Sequence, residues 1–545
     1  MVLSPLDDHD LLDIIGNYAL ALGQNSEYAD CMLPDTVKRL LLQKLKSIDP
    51  QLHRPLYALF LTDAFVTGNN PEQWERNDIL EYVTEREQKR LKFNLHQTLG
   101  WRDEKLYSAC LYLYSMATVL QDVSWEELQL LCPDTWAIIQ RKADSFDSPA
   151  NMLEQAGLVV KGTIFALRPD LIGEYFVYTW LVRHPDKAQR FLYAVWQRPV
   201  PTAVFFNRMF HDYGNMLNEN AKHWELIFPS NIPMSEDAAW LYAMLLASAT
   251  HYCCIVDGRK QQTNLLKKLA SDYPTNLKFV FALSEGLVNL SYKQDEQRAL
   301  DTITHLERLA TEHPKMPDIA ILFAEGLVNL SYKQDEQGAQ ITIARLERLA
   351  AEHPEVSDIA ILFAEGLVNL SSKQDEQGAQ DTIARLENFA AKHPRVQDIA
   401  ILLAEGLVNL SYKQDEQDSQ VTIARLERLA GEYPGVPNIV IALAINLFNL
   451  SIKQNEQGAR DTIARLECLI AKHPEMPDIA IVFAKGLLNL IIKQGEQEAQ
   501  VTIVRLKHLL SEHPNASIIA TELTKDLTIL SYMRDKNGNG SPLNA

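Results

Sequence analysis

The chain has 545 residues and a formal net charge of −19. This length predicts several domains, or one domain followed by a repeat array, and the acidity argues against nucleic acid or an anionic membrane as the main partner. No apolar run reaches transmembrane length, no signal peptide is evident, and the six scattered cysteines lack zinc-ligand spacing. We therefore expect a cytoplasmic protein without a bound metal.

Residues 1–120 show the apolar spacing of helices throughout. The segments RPLYALFLTDAF (54–65) and ERNDILEYVTEREQKRL (75–91) place their apolar residues at helical intervals. The second segment carries its acidic residues early and its basic residues late, as the helix dipole prefers. We predict a helical domain over residues 1–120.

The sequence pattern of residues 121–185 differs from that of residues 1–120, because it includes a hairpin signal as well as helices. Ser124 can cap a helix that begins with WEELQLL, and a further helix runs through NMLEQAG. The following LVVKGTIFAL (158–167) contains two short β runs around Lys161-Gly162, which is the signal of a hairpin. Helices followed by a hairpin predict a winged-helix domain over 121–185, and we place a helical connector over 186–234. The predicted recognition helix, around 146–156, contains no lysine or arginine, so DNA binding is not expected.

The C-terminal half repeats the phrase AEGLVNLS, or a variant of it, with a period of 40 residues. Asn446 and Asp526 occupy the glycine slot in two of the copies, and all eight tryptophans lie at or before Trp240. A fixed period predicts stacked units that bury their apolar faces against their neighbours. We predict a mainly α fold with an α-solenoid of helical hairpins over 235–533 and a disordered tail over 534–545. The solenoid is expected to end with a lone helix around 515–533. The in-register glycines are Gly286, Gly326, Gly366, Gly406 and Gly486.

One repeat, residues 315–354, illustrates the unit. Its first half, helix A, begins near Pro317 and its second half, helix B, near the N-cap residue Asp335, while Pro354 ends helix B. We expect the small residues Ala324 and Gly326 to let the two helices of a unit pack closely. The unit resembles the tetratricopeptide repeat, although that family's unit is shorter, at about 34 residues.

Three rows of residues recur at the repeat period. An asparagine row either lines a binding groove or forms a structural ladder that bonds to the backbone of the next repeat. A histidine row that includes His353 suits helix C-termini better than a metal array. Asp381 alternates with apolar residues such as Ile341 and Val421 in neighbouring copies, which indicates duplication in pairs. The asparagines are Asn289, Asn329, Asn369, Asn409, Asn449 and Asn489.

The tail contains an acidic and amide pattern at Asp535, Asn537 and Asn539 that is similar to the start of an EF-hand loop. That loop needs a bidentate acid at its twelfth position. Here the twelfth position lies beyond Ala545, so calcium binding is not expected.

The N-terminal half resembles STAND-type signalling NTPases of bacteria, the relatives of NACHT and NB-ARC proteins. RPLYALF (54–60) is similar to their GLPLA motif, and the resemblance implies that Pro55 contacts a nucleotide base. LRPDLIGEYF (167–176) is similar to their MHD motif, in which Asp170 matches the aspartate. Pro169 stands where the phosphate-contacting histidine would be, and under this resemblance we expect Arg168 to substitute for it.

No G-x-x-x-x-G-K-[ST] phosphate loop and no Walker B strand occur in the sequence. The resemblance therefore implies the C-terminal part of a STAND protein, from a truncated or split gene. ATP or ADP would bind only if a separate P-loop domain acted in trans. No G-x-S-x-G or H-E-x-x-H motif is present either, so we expect no enzymatic activity.

Together these features favour a non-enzymatic sensor or scaffold, in which A helices line a concave groove that binds a protein ligand. The resemblance implies signalling, with anti-phage defence as a setting, and a P-loop NTPase or effector chain as a further partner. A stand-alone adaptor that binds a peptide in the groove is one alternative. A winged-helix transcriptional regulator with a repeat sensor is another, although the acidic charge opposes it.

Overall fold

The computed structural model of the chain describes residues 7–24, 33–49, 55–99, 103–142, 148–168, 170–228 and 235–512. This part of the chain is mainly helical, with 26 α-helices and one small sheet. It divides into two compact units, residues 1–286 and 287–545, and the division falls inside one helix. Within the described ranges, no helix combines the length and apolar character needed to cross a bilayer.

The first unit begins with five helices. The two helices predicted over 54–65 and 75–91 are confirmed as α3 and α4, and α4 extends further than its apolar pattern indicates. Asp103 caps α5, because its carboxylate accepts hydrogen bonds from the backbone N–H groups of Lys105 and Leu106. The helices are α1 (Asp8–Gln24), α2 (Asp35–Ile48), α3 (Pro55–Val66), α4 (Arg76–Leu99) and α5 (Glu104–Leu120).

A three-stranded antiparallel sheet follows α5, in the order β1-β3-β2. The predicted hairpin is confirmed, and its turn residues Lys161 and Gly162 have φ of 53° and 80°, as the favoured two-residue hairpin turn requires. The strand β1 was not predicted. Ser124, its last residue, also caps α6. The elements are β1 (Val123–Ser124), α6 (Trp125–Leu131), α7 (Pro133–Lys142), α8 (Pro149–Gln155), β2 (Val159–Val160) and β3 (Thr163–Ile164).

Large aromatic side chains form the core of the rest of the first unit. Trp224 stacks on Phe228 and also contacts Phe210, and all three rings are buried. Trp224 is therefore a core residue of this unit. The helices are α9 (Asp170–Arg183), α10 (Pro185–Val195), α11 (Pro199–Leu217), α12 (Ala221–Glu225), α13 (Glu236–Tyr252) and α14 (Val256–Asp272).

The repeats form helical hairpins in which both helices have 17 residues. Helix A of the illustrated unit begins at Pro317, as predicted. The predicted N-cap of helix B is confirmed at Asp335, which accepts a 2.8 Å hydrogen bond from Gly338 N. The A helices are α15 (Leu277–Lys293), α17 (Pro317–Lys333), α19 (Ser357–Lys373), α21 (Gln397–Lys413), α23 (Pro437–Lys453) and α25 (Pro477–Lys493). The B helices are α16 (Glu296–Glu312), α18 (Glu336–Glu352), α20 (Glu376–Lys392), α22 (Glu416–Glu432), α24 (Glu456–Lys472) and α26 (Glu496–Glu512).

In the second unit, each A helix packs against the A helix of the next repeat and against the B helices on both sides. The prediction about Gly326 was wrong in one detail. A Cβ at this position would meet Ile303 of α16, the B helix of the preceding unit, at 2.5 Å. The glycine therefore permits close packing between units rather than within one. Asn446 fills the same slot in α23 and is fully buried.

The predicted final helix around 515–533 and the predicted tail, with its EF-hand-like residues Asp535, Asn537 and Asn539, lie outside the described residues. The domain boundaries 1–120, 121–185, 186–234 and 235–533 stay predictions.

Candidate functional site

One stripe of each A helix faces away from the neighbouring helices. In α17 the stripe consists of Asp318, Ile321, Glu325, Asn329 and Tyr332, and every one of them is partly or fully exposed. Their three- and four-residue spacing keeps them on one side of the helix. We call this stripe, together with its equivalents in the other A helices of the second unit, the A-helix face.

An acidic row runs along the A-helix face. Glu325, Glu365 and Glu405 occupy the same position in α17, α19 and α21. Partial burial, and then the negative charge of Glu365, raise the pKa of the Glu325 and Glu405 carboxyls above their ordinary values. The row then changes, because Ile445 and Lys485 hold the position in α23 and α25.

A second row lies at the last turn of the A helices. Tyr332 and Tyr412 have 55% and 62% of their surface exposed. Tyr332 Oη donates a 3.2 Å hydrogen bond to Glu365 Oε1 on the next A helix, which joins this row to the acidic one. Serine replaces tyrosine at Ser372, and isoleucine replaces it at Ile452 and Ile492.

The asparagine row, predicted as either groove or ladder, forms bonds between repeats. Asn369 Nδ2 donates to Ser331 Oγ at 2.7 Å, and Asn489 Nδ2 donates to Ser451 Oγ at 3.1 Å. The corresponding distance from Asn449 to Ser411 is 3.5 Å. The acceptor is thus a side chain of the preceding repeat, whereas the ladder was predicted to use the next repeat's backbone. Asn329 and Asn409 remain partly exposed, and Asn289 has a polar partner as well.

Three further ladders were missed in the sequence, although their residues recur in nearly every copy. Thr382 Oγ1 donates to Gln374 Oε1 at 2.6 Å, which ties helix B to the turn before it. Lys373 Nζ donates at 2.8 Å to the carbonyl oxygen of Gln334 in the preceding repeat. On the B helices, arginines pair with glutamates of the preceding repeat at Arg345–Glu307, Arg385–Glu347, Arg425–Glu387, Arg465–Glu427 and Arg505–Glu467.

The histidine row occupies helix C-caps, as predicted. His353 and His473 follow the last residues of α18 and α24. Among the described residues, no group of three or more histidine, cysteine, aspartate or glutamate side chains could hold a metal ion. The alternating positions lie on the outside of the B helices, where Ile341 and Val421 are 63% and 58% exposed.

Of the three nucleotide-contact candidates, Arg168 lies in a cavity of the first unit. This cavity has a volume of about 480 Å³ and is also lined by Arg86, Arg90, Phe60 and Phe165. Asp122, two residues after the end of α5, forms a 3.1 Å ion pair with Arg168. Arg86 and Arg90 both pair with Glu87, so the arginine charges in the cavity are partly neutralised.

The other two candidates do not line this cavity. Asp170 begins α9 and pairs with Arg208 of α11 at 2.5 Å, while Pro55 is the exposed first residue of α3. Arg208 Nε also lies 3.0 Å from Oε1 of the buried Glu174. Burial, followed by the charge of Asp212, raises the pKa of Glu174 to about 8.

Among solved structures, the chain is similar to a Signal Transduction ATPase with Numerous Domains (STAND) protein with a tetratricopeptide repeat sensor from Pyrococcus horikoshii. That match has 11% sequence identity and a TM-score of 0.29, and it covers 96% of this chain and 75% of that chain. A circular tandem repeat protein matches with 12% identity and a TM-score of 0.17, over 95% of this chain and 99% of that one. No protein-family model and no curated protein matches the sequence.

Proposed function

We propose that the chain is a non-enzymatic scaffold or sensor whose repeats bind a protein ligand on the A-helix face. The observation that carries this proposal is that some positions of the repeat form bonds, whereas other positions are exposed and vary between copies. Residues that recur in nearly every copy, such as Gln374, Thr382 and Lys373, are used in bonds within and between repeats. Two positions of the A-helix face vary instead. One holds tyrosine, serine or isoleucine, and the other holds glutamate, isoleucine or lysine. Exposed positions of the B helices also vary, since Asp381 alternates with apolar residues such as Ile341. The A helices are the ones expected to line the concave groove of such an array, and this favours ligand recognition on the A-helix face.

The test uses the tagged full chain, expressed in its own host cells, and compares co-purifying proteins by mass spectrometry. The face variant is Tyr332→Ser with Tyr412→Ser, since Ser372 shows that an array repeat accepts serine at this position. The matched control is Ile341→Ser with Val421→Ser, which changes equally exposed side chains on the B helices. We expect the face variant to lose a co-purifying protein that the control retains. Equal retention by both variants would contradict the proposal.

We also propose, from the sequence resemblance alone, that this module works with a STAND-type P-loop NTPase and does not itself bind or hydrolyse ATP. The order of a helical segment, a hairpin-bearing segment and a repeat array supports the proposal. Calorimetric titration of the purified chain with ATP and ADP in the presence of magnesium tests it, and we expect no heat of binding. Micromolar binding would contradict it, and Arg168→Ala would then show whether the cavity beside α4 is responsible.

We propose that residues 121–185 form a winged helix that has a structural role and does not bind DNA. The helices α6, α7 and α8 precede the β2–β3 hairpin, which is the arrangement that the sequence predicts. The seven residues of α8 include Glu154 and no basic side chain, so this helix lacks the cations that phosphate contacts need. We expect no retention on duplex DNA at moderate salt, and salt-sensitive retention would restore the transcriptional alternative.

A further inference from the structure

The glutamates of the three central repeats differ in whether a basic side chain pairs with them. On the B helices, Glu347 and Glu387 each pair with an arginine of the next repeat. On the A-helix face, Glu325, Glu365 and Glu405 have no lysine or arginine within ion-pair distance among the described residues. The glutamates that lie between successive B helices are therefore neutralised, whereas the glutamates of the A-helix face are not.

Further carboxylates extend this unneutralised charge. Asp318, Asp358 and Asp398 lie in the first turns of α17, α19 and α21, on the same face as the glutamates. Within the described ranges these aspartates also have no basic partner. Partial burial raises the pKa of the Glu325 and Glu405 carboxyls, and the nearby negative charge of Glu365 raises it further. A cationic ligand would relieve the repulsion between these charges.

Aromatic rings border the acidic rows on this face. Tyr332 and Tyr412 are more than half exposed, and the hydroxyl of Tyr332 already contacts Glu365. An arginine or lysine that pairs with these glutamates can also lie over an adjacent tyrosine ring, which adds a cation–π contribution. The pattern ends at α23, where Ile445 takes the glutamate position, and Lys485 reverses the charge in α25.

We infer that the A-helix face of α17, α19 and α21 docks a lysine- and arginine-rich segment of the partner protein. This inference rests on the proposed function and specifies the chemistry of its ligand. Neighbouring packed helices are about 9 Å apart, so three A helices span about 18 Å. An extended segment of about six residues covers that distance.

The experiment measures the binding of fluorescein-labelled octa-arginine to the full chain by fluorescence anisotropy at physiological ionic strength. The face variant carries Glu325→Gln, Glu365→Gln and Glu405→Gln. The matched control carries Glu312→Gln, Glu352→Gln and Glu432→Gln, three exposed B-helix residues that pair with arginines of their own helices. Both variants change the net charge by the same amount, and circular dichroism verifies that both remain helical.

We expect the face variant to bind octa-arginine at least about tenfold more weakly than the unmodified chain, and the control to bind within about twofold of it. A gain-of-function variant, Ile445→Glu, extends the acidic row by one repeat and should tighten binding about threefold. Equal weakening in the face variant and the control would mean that overall charge attracts the peptide, and this would overturn the inference. Absence of binding to the unmodified chain would overturn it too.

Failure of this inference is distinguishable from failure of the proposed function. If octa-arginine does not discriminate the variants but the tyrosine variant still loses its co-purifying protein, the face binds a protein that is not basic. If co-purification is unaffected by the tyrosine variant, the proposed function itself fails.

Discussion

Asn369 of α19 donates a 2.7 Å hydrogen bond to Ser331 Oγ of α17, and both side chains are buried. Ser331 Oγ in turn donates to the carbonyl oxygen of Val328 at 2.8 Å. The Ser331 hydroxyl thus donates a hydrogen bond to a carbonyl oxygen of its own helix and accepts one from the next repeat. Asn369, which the sequence offers as a groove candidate, instead forms a hydrogen bond between successive A helices.

We predict that Asn369 and Ser331 are energetically coupled. A double-mutant cycle with Asn369→Ala and Ser331→Ala should give a coupling free energy of about 1 kcal/mol, since a buried neutral hydrogen bond contributes that much. Urea unfolding of the full chain measures it. Asn409→Ala is the matched control, because Asn409 is partly exposed and forms no such bond in the described part of the chain. It should lower the free energy of unfolding by less than Asn369→Ala does. A coupling indistinguishable from zero would mean that the bond does not hold the repeats together.

The Thr382–Gln374 bond gives a second prediction. Replacing Thr382 with valine keeps the shape but removes the donor, so the buried Gln374 Oε1 loses its 2.6 Å bond. We expect Thr382→Val to lower the free energy of unfolding by about 1–3 kcal/mol. Thr382→Ser retains the hydroxyl and should cost less than half as much. Equal losses for valine and serine would assign the effect to packing rather than to the hydrogen bond.

Gly173 of α9 is held against the segment that carries Arg168. A Cβ there would lie 2.6 Å from the carbonyl oxygen of Leu167 and 2.7 Å from the methyl group of Thr118. Because a backbone atom cannot move aside as a side chain can, Gly173→Ala should destabilise the first unit by about 1–3 kcal/mol. Gly431 is the control, since a Cβ there meets nothing within 4 Å and Gly431→Ala should stabilise its helix by about 0.5–1 kcal/mol. Thermal unfolding that moves in the same direction for both variants would contradict the account of Gly173.

Glu174 predicts a pH dependence of stability. Its pKa in the folded chain is raised to about 8, whereas an unfolded glutamate ionises near about 4.3. Between these two pKa values the folded state holds a proton that the unfolded state has lost. The free energy of unfolding is therefore highest at low pH and falls as the pH rises toward 8. Glu174→Gln is neutral throughout, so its melting temperature should fall less than that of the unmodified chain between pH 5 and pH 8. The exposed Glu225→Gln should leave the pH profile unchanged, and parallel profiles for all three proteins would refute the assignment.

Much of the repeat architecture follows from the sequence, because its signals are local. A proline at the start of a helix, an aspartate that caps the next one and a proline that ends the unit each act within a few residues, and Asp335 confirms this. The hairpin at Lys161-Gly162 was predictable for the same reason. The strand β1 was not, since its two residues are too short to show any periodicity.

The contacts between repeats could not be assigned from one repeat alone. Arg425 reaches Glu387, which is 38 residues earlier, and only the stacking of the hairpins brings them together. The direction in which Gly326 faces depends on the same stacking. In the first unit, the ion pair of Asp170 with Arg208 and the burial of Glu174 depend on how α9 packs against α11, for which the sequence carries no periodic signal.

The most direct test of the A-helix face is site-specific photocrosslinking in host cells. p-Benzoylphenylalanine is placed at Tyr412, on the A-helix face, or at Val421, on the outside of the following B helix. The two positions are similarly exposed, at 62% and 58%, so reactivity alone does not favour either. The account predicts a discrete crosslinked protein from position 412 and none from position 421. A crosslinked product of equal or greater yield from position 421, or no product from position 412, would contradict it.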